Sequence, residues 1–356
     1  DMRTLSAFAV RPSFERYGAA AYFVDRQITG IFWSHGDRFV TPEDPLWEHV
    51  KFAWRVTLFT WVTAVDHLVH THWIVSNALN SSLRENLPPA HPIRRVMHVS
   101  IFGSSKVNTE SVYSLGMEGS FLHRASALEW EGGLKEALKA GVESFRFMTF
   151  PDRVAESDLP DDVKAQLPLF VDGLEVWAAL RRFYSAYVDI NYSDDEAVCC
   201  DAALVEYWKF RCAEHYTRGL PALSKETLVD QLTHGCFTVT AGHQVVGDIV
   251  QYVTIPNGMC FQVRPDHNMM DARQMTNVLS ITASTGRQMP LLREDWSHLL
   301  ASPNDNSDQR LRYKELHRQL VQDLTAVSHA VQERCKEQPV AFTELDPLAF
   351  ECSVSI

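Results

Sequence analysis

The stretch Asp66-His67-Leu68-Val69-His70-Thr71-His72-Trp73 decides how the rest of the chain is read. It closes an apolar run from Phe52 to Val75 that also holds Arg55, Asp66 and three histidines. Such a run is too polar to cross a bilayer and suits a helix buried inside a protein. His67 and His72 stand five residues apart. On a regular α-helix five steps turn roughly 500°, which leaves the two rings about 140° apart. They meet only if the helix widens into a π-turn, a rare feature that concentrates at functional sites. His67 with His70 is the alternative pair, on neighbouring faces of a regular helix. The plainer reading gives all three ordinary core or surface roles, because no HExxH or other sharp metalloenzyme signature is present.

Two distant segments offer further donors. His243 lies in Ala241-Gly242-His243-Gln244-Val245-Val246-Gly247-Asp248, and the sequence closes on Cys352-Ser353-Val354-Ser355-Ile356 with a carboxylate. Three imidazoles and one carboxylate, with positions left open, make a non-haem iron site of the kind that handles dioxygen, provided the fold gathers them. Taken singly, His243 reads as a helix histidine satisfied by hydrogen bonds, and Asp248 as a surface or cap acid.

Composition bounds the rest. The 356 residues are 46% hydrophobic and 11% aromatic, a globular make-up with ample material for one deep core. A formal charge of −12 argues against a nucleic-acid partner, since phosphate binding needs a basic surface. The cysteines at 199, 200, 212, 236, 260, 335 and 352 form no CxxC pair, so reduced thiols are expected, not a disulfide framework. No signal peptide is visible, although a chain starting at Asp1 suggests trimming. A soluble, cytoplasmic protein without a transmembrane segment is expected.

The element pattern is mainly α. Loops and short strands are expected over the first 45 residues, then a helix start at Thr41-Pro42-Glu43-Asp44-Pro45 and a long helix from about Leu46 to beyond Trp73. Pro88-Pro89-Ala90-His91-Pro92 breaks it. Leu159 to Val163 and Phe170 to Trp177 bracket the next helix, which carries Arg181 to Tyr187; Ser193 to Glu196 caps another, and one starting at Ser224 runs toward His243. Residues 310–337 read as an amphipathic helix with apolar positions 311, 316, 320, 324, 327 and 331, and the tail after Pro339 as extended.

Read together, these segments resemble the lipoxygenase family. His67-(x)4-His72-Trp73 is similar to the family's first pair of iron histidines. Pro89-Ala90-His91-Pro92-Ile93 with His98 is similar to its HPIxKLLxPH stretch, and Val107-Asn108 and Gly116-Met117-Glu118-Gly119 to its xIN and NAxG elements. Val171 to Trp177 resembles YAxDGLEIWxAI, and Tyr192 to Val198 resembles YYxSDEAV. His243, Gln251-Tyr252 and Pro256-Asn257 resemble HAAVNFGQYxxxxxxPN, and Ser353 to Ile356 the NSVSI terminus.

The resemblance implies a compact helical catalytic domain spanning 1–356, without an N-terminal β-sandwich, built around long core helices that carry a non-haem metal. It implies that His67, His72, His243 and the Ile356 carboxylate bind iron, a donor set that also suits manganese. For a fourth side-chain donor, counting four from His243 gives Gly247, while anchoring on Gln251-Tyr252 gives Asp248. Gln251 matches a glutamine that positions ligands and substrate. Met117 matches the small residue that steers dioxygen, next to Gly116. His70 has no family role. The implied reaction abstracts hydrogen from a doubly allylic CH2 of a polyunsaturated fatty acid and adds O2 to give a conjugated hydroperoxide. One alternative keeps fold and iron but acts as a hydroperoxide isomerase or as an oxidase of another unsaturated or biosynthetic substrate. Another is a lipid-binding protein without catalysis.

Overall fold

The computed structural model describes residues 1–25, 27–212, 218–247, 263–264 and 289–354. Near the N-terminus three antiparallel strands, β1 (Ala19–Val24), β2 (Gln27–Trp33) and β3 (Arg38–Val40), pair in the order β1-β2-β3, with Ala19 opposite Trp33 and Ile31 opposite Val40. Ala19, Ile31 and Val40 are fully buried, and β1 and β2 rest on the first long helix.

That helix is continuous from residue 47 to residue 86. It begins as α1 (Trp47–Trp61), widens into π1 (Val62–Ser76) and returns to regular geometry as α2 (Asn77–Asn86). Its centre is rich in β-branched Val and Thr, which are mediocre helix formers, so tertiary burial must carry it. Val65, Leu68, Val69 and Val75 are at most 1% exposed, and burying side chains of this size contributes about 1.5–3 kcal/mol each. Leu87 turns extended ahead of Pro88-Pro89 and ends the helix, as the prolines require.

The start of α1 differs from expectation. Thr41 does not cap it, because its hydroxyl donates to Glu43 at 2.7 Å. Residues 41–46 form turns instead, in which the Asp44 carboxylate accepts from the Leu46 N–H at 2.9 Å, and the helix opens at Trp47.

Further helices build the scaffold around it. α3 (Pro168–Asn191) starts on Pro168 after an extended Leu167. α4 (Lys225–Phe237) starts on a capping box between Ser224 and Thr227, then runs through a second widened turn, π2 (Thr238–Gly242), into α5 (His243–Gly247). α6 (Ser307–Lys336) starts on a capping box between Asn306 and Gln309, three residues before its expected start. Both α4 and α6 lie against α3, whose Val176, Leu180 and Tyr187 are fully buried. The tail is not extended. It makes turns around Asp346, whose main chain accepts from Ala349 at 3.0 Å and whose carboxylate accepts from Gln332 at 3.0 Å. Among the described residues no helix is long and apolar enough to cross a membrane, and the cysteines are free thiols.

Candidate metal centre

π1 and π2 touch at the centre of the molecule and bring three histidines together. The Nε2 atoms of His67 and His72 are 3.1 Å apart, those of His67 and His243 3.1 Å, and those of His72 and His243 3.2 Å. A π-turn closes hydrogen bonds at five-residue spacing, so residues i and i+5 stack where an α-helix would splay them. The same spacing shows in Thr71, whose hydroxyl donates to the Asp66 carbonyl at 2.8 Å. The widening that the spacing of His67 and His72 demands is therefore present, and His70 stays outside the triangle. His70 instead meets the Gly141 carbonyl at 2.9 Å and lies 3.4 Å from the Asp66 carboxylate.

The triangle fits a metal ion. Edges of 3.1–3.2 Å arise when three donors sit at right angles on bonds of roughly 2.2 Å, close to metal–imidazole lengths. That leaves the opposite face for other ligands. Among the described residues no carboxylate or thiol joins the three imidazoles. All three rings are at least nine-tenths buried, which keeps bulk water from competing for the donors.

The protonation of His72 follows from its neighbour. The two N–H bonds of Asn108 Nδ2 are shared among the His72 carbonyl at 3.1 Å, Ser76 Oγ at 3.1 Å and Asn77 Oδ1 at 2.7 Å. A carbonyl only accepts, so that end of the amide is the NH2 and Oδ1 is the acceptor. The 2.8 Å contact from His72 Nδ1 to Asn108 Oδ1 must then be an N–H donation, leaving the Nε2 lone pair directed at the triangle. The sequence offered Asn108 only as half of a short motif. Its role was hidden because its partner lies 36 residues away.

Four residues after His243, the backbone of Gly247 closes on the triangle. A Cβ there would stand 3.0 Å from His67 Nε2 and 3.4 Å from His243 Nε2, so a side chain at this position would press directly on the imidazoles. Asp248, Gln251 and Ile356 lie outside the described residues. Met117 is 45% exposed, which turns its bulk to solvent. Gly116 lies beneath Trp73: a Cβ would come within 2.3 Å of the indole, whose Nε1 donates to Ser111 Oγ at 3.0 Å. His91 caps a short helix by accepting from the Ile93 N–H at 3.2 Å and donates from Nε2 to Asp201 at 3.0 Å, a structural role.

The chain is similar to known proteins over most of its length. It is 26% identical over 349 residues to the polyunsaturated fatty acid lipoxygenase ALOX8 of Mus musculus, covering 88% of this chain and 50% of the relative. It superposes on a lipoxygenase crystallised anaerobically with arachidonate (TM-score 0.85, 17% identity, 100% of this chain, 58% of the other). It also superposes on the manganese lipoxygenase of Gaeumannomyces graminis (TM-score 0.76, 18% identity, 100% of this chain, 70% of the other). The chain spans about half the length of the curated relatives it matches. The sequence profile of the lipoxygenase family matches residues 32–253, more than half of the chain, and with the helical core and its three-histidine cluster this makes the chain a member of the lipoxygenase family.

Proposed function

We propose that this chain is a catalytic domain, residues 1–356, that oxygenates polyunsaturated fatty acids. Hydrogen is taken from a doubly allylic CH2 and O2 adds to give a conjugated hydroperoxide. The observation that carries the reading is the buried Nε2 triangle of His67, His72 and His243, built by two widened turns. The Ile356 carboxylate is included as a fourth donor. Its support is the burial of Phe350, Cys352, Ser353 and Val354, which lead the chain inward. Asp248 and Gln251 are assigned next to the metal, as an additional donor and as a positioning residue. Iron is the assigned metal. The arachidonate complex and the fatty acid named for the mouse relative support an unsaturated acyl substrate. Free thiols support a reducing, cytoplasmic setting.

When bound, iron supplies the one-electron chemistry that removes the hydrogen atom. The chain's own residues do the remainder. His67, His72 and His243 present neutral imidazole lone pairs, Asn108 holds the proton of His72 on Nδ1, and burial excludes water. Gly247 favours a second reading: where counting from His243 places a side-chain donor, there is none, which suits altered chemistry such as hydroperoxide isomerisation. Oxygen uptake with linoleate, followed together with conjugated-diene absorbance on metal-assayed protein, tests the two. Matched uptake and diene formation is the expected result. A metal-loaded protein that shows neither overturns it in favour of the second reading, to be pursued with hydroperoxide substrates.

A further inference from the structure

A cavity of about 240 Å³ lies between π1, π2 and the chain from Phe145 to Leu169, and none of His67, His72 and His243 lines it. A substrate in this cavity would therefore not meet the histidine triangle directly. Its walls are largely apolar, with Val75, Phe145, Met148, Phe150, Phe237 and Val245 among them. Some polar groups on the walls are spent, while His234 Nε2 is buried without a hydrogen-bond partner among the described residues. The Thr71 hydroxyl is bonded to the Asp66 carbonyl, and Asp66 and His70 face each other at 3.4 Å. His234 is 5% exposed and lies edge-on to Phe147 at 4.9 Å, and burial drives its pKa down to about 3, so that wall is uncharged. Arg153 is different. Its exposed guanidinium lines the cavity, and among the described residues no carboxylate lies within ion-pair distance of it.

An unpaired cation at the edge of a largely apolar cavity, whose one lining carboxylate, Asp66, is turned to His70, suits an aliphatic chain that ends in a carboxylate. The volume is below the roughly 300 Å³ at which drug-sized pockets begin, which selects a chain shorter than the long polyunsaturated acids. We propose that this cavity is a second binding site, for a medium-chain monocarboxylate whose tail lies along the two π-turns and whose carboxylate pairs with Arg153. The proposal goes beyond the metal-centre reading and does not depend on it. The occupant would touch Thr71, next to His72, and Gly242, next to His243, and so brace both metal-bearing turns against one another.

The test is calorimetric titration of decanoate, with decan-1-ol as the uncharged probe, into the full chain and into Arg153→Gln. Arg153 is exposed, so the variant should fold, which an unchanged melting temperature without ligand would verify. Decanoate should bind at least tenfold more weakly to Arg153→Gln, and decan-1-ol should bind the wild type at least tenfold more weakly than decanoate. Leu169→Trp, which puts bulk into the cavity wall, should lose decanoate binding too. A decanoate affinity that is the same with and without Arg153, or absent up to millimolar concentration, overturns the site. Binding at the metal-facing side would survive the Arg153 substitution and so counts as that negative result. Oxygen uptake with linoleate is read separately, so failure here leaves the metal-centre reading standing.

Discussion

Asn108 makes four hydrogen-bond contacts from one buried amide, and through the one to the His72 ring it decides which ring nitrogen faces the metal site. Asn108→Ala removes that control. Partners of this kind typically contribute 10–100-fold to metal affinity, so metal dissociation measured by competition with a chelator should quicken by roughly that factor. Asn108→Asp keeps the acceptor and discards the donors. It should hold the metal nearly as well as wild type while lowering stability, and equal metal loss in both variants would refute the tautomer argument. Nothing in the sequence near residue 108 announces this, because the signal is a contact across two helices and not a spacing. His234 illustrates another hidden effect. Its imidazole gains a proton near pH 6.5 when unfolded but only near 3 when folded, because burial disfavours the cation. Above 6.5 the two states bind the same number of protons and the contribution is constant. Below 6.5 the unfolded state takes up one more, so stability drains as pH falls toward 3. Urea unfolding at pH 7 and pH 5 should show a loss about 2 kcal/mol smaller in His234→Phe than in wild type.

At the scale of elements, the helix starts at Ser193-Asp194 and Ser224 are legible because capping is local chemistry, read from a few consecutive residues. Thr41 misled because its hydroxyl found Glu43 instead of a helix N–H. π1 is foreshadowed by the five-residue gap between His67 and His72, whereas π2 left no trace, since a single histidine follows it. How α6 is fixed on α3 is likewise a matter of long-range pairing. Arg334 donates to Asp172 at 2.7 Å and bridges to Glu175 at 2.7 and 3.0 Å. The side chain of Asp172 is 2% exposed, whereas Arg334 keeps some contact with water. Arg334→Met would strand a buried carboxylate. Breaking such pairs costs up to 3–5 kcal/mol, and the partial exposure of Arg334 reduces this to about 2–3 kcal/mol, measurable by urea unfolding. Adding Asp172→Asn should recover part of the loss. If the double variant is no more stable than the single, the ion pair does not fasten α6 to α3.

At the scale of the whole molecule, the metal site is a long-range closure, joining residues 67 and 72 to residue 243. Spacing alone could not predict that meeting. The order of several separate motifs could, since it carries the family's topology with it. The closure has a thermodynamic consequence. An unfolded chain does not bring His243 to His67 and His72, so a metal that needs all three binds the native state almost exclusively, and its binding free energy adds to stability. At a free metal concentration about 100 times the dissociation constant, the gain is roughly 2.7 kcal/mol. For a chain of 356 residues each kcal/mol shifts the melting temperature by about 1–2 °C, so loading with iron(II) or manganese(II) should raise it by roughly 3–5 °C. His243→Ala cuts the link between π1 and π2 and should abolish most of that rise while leaving the metal-free melting temperature nearly unchanged. An equal rise in the variant would mean that the ion binds elsewhere and that the triangle is only a cluster of packed imidazoles.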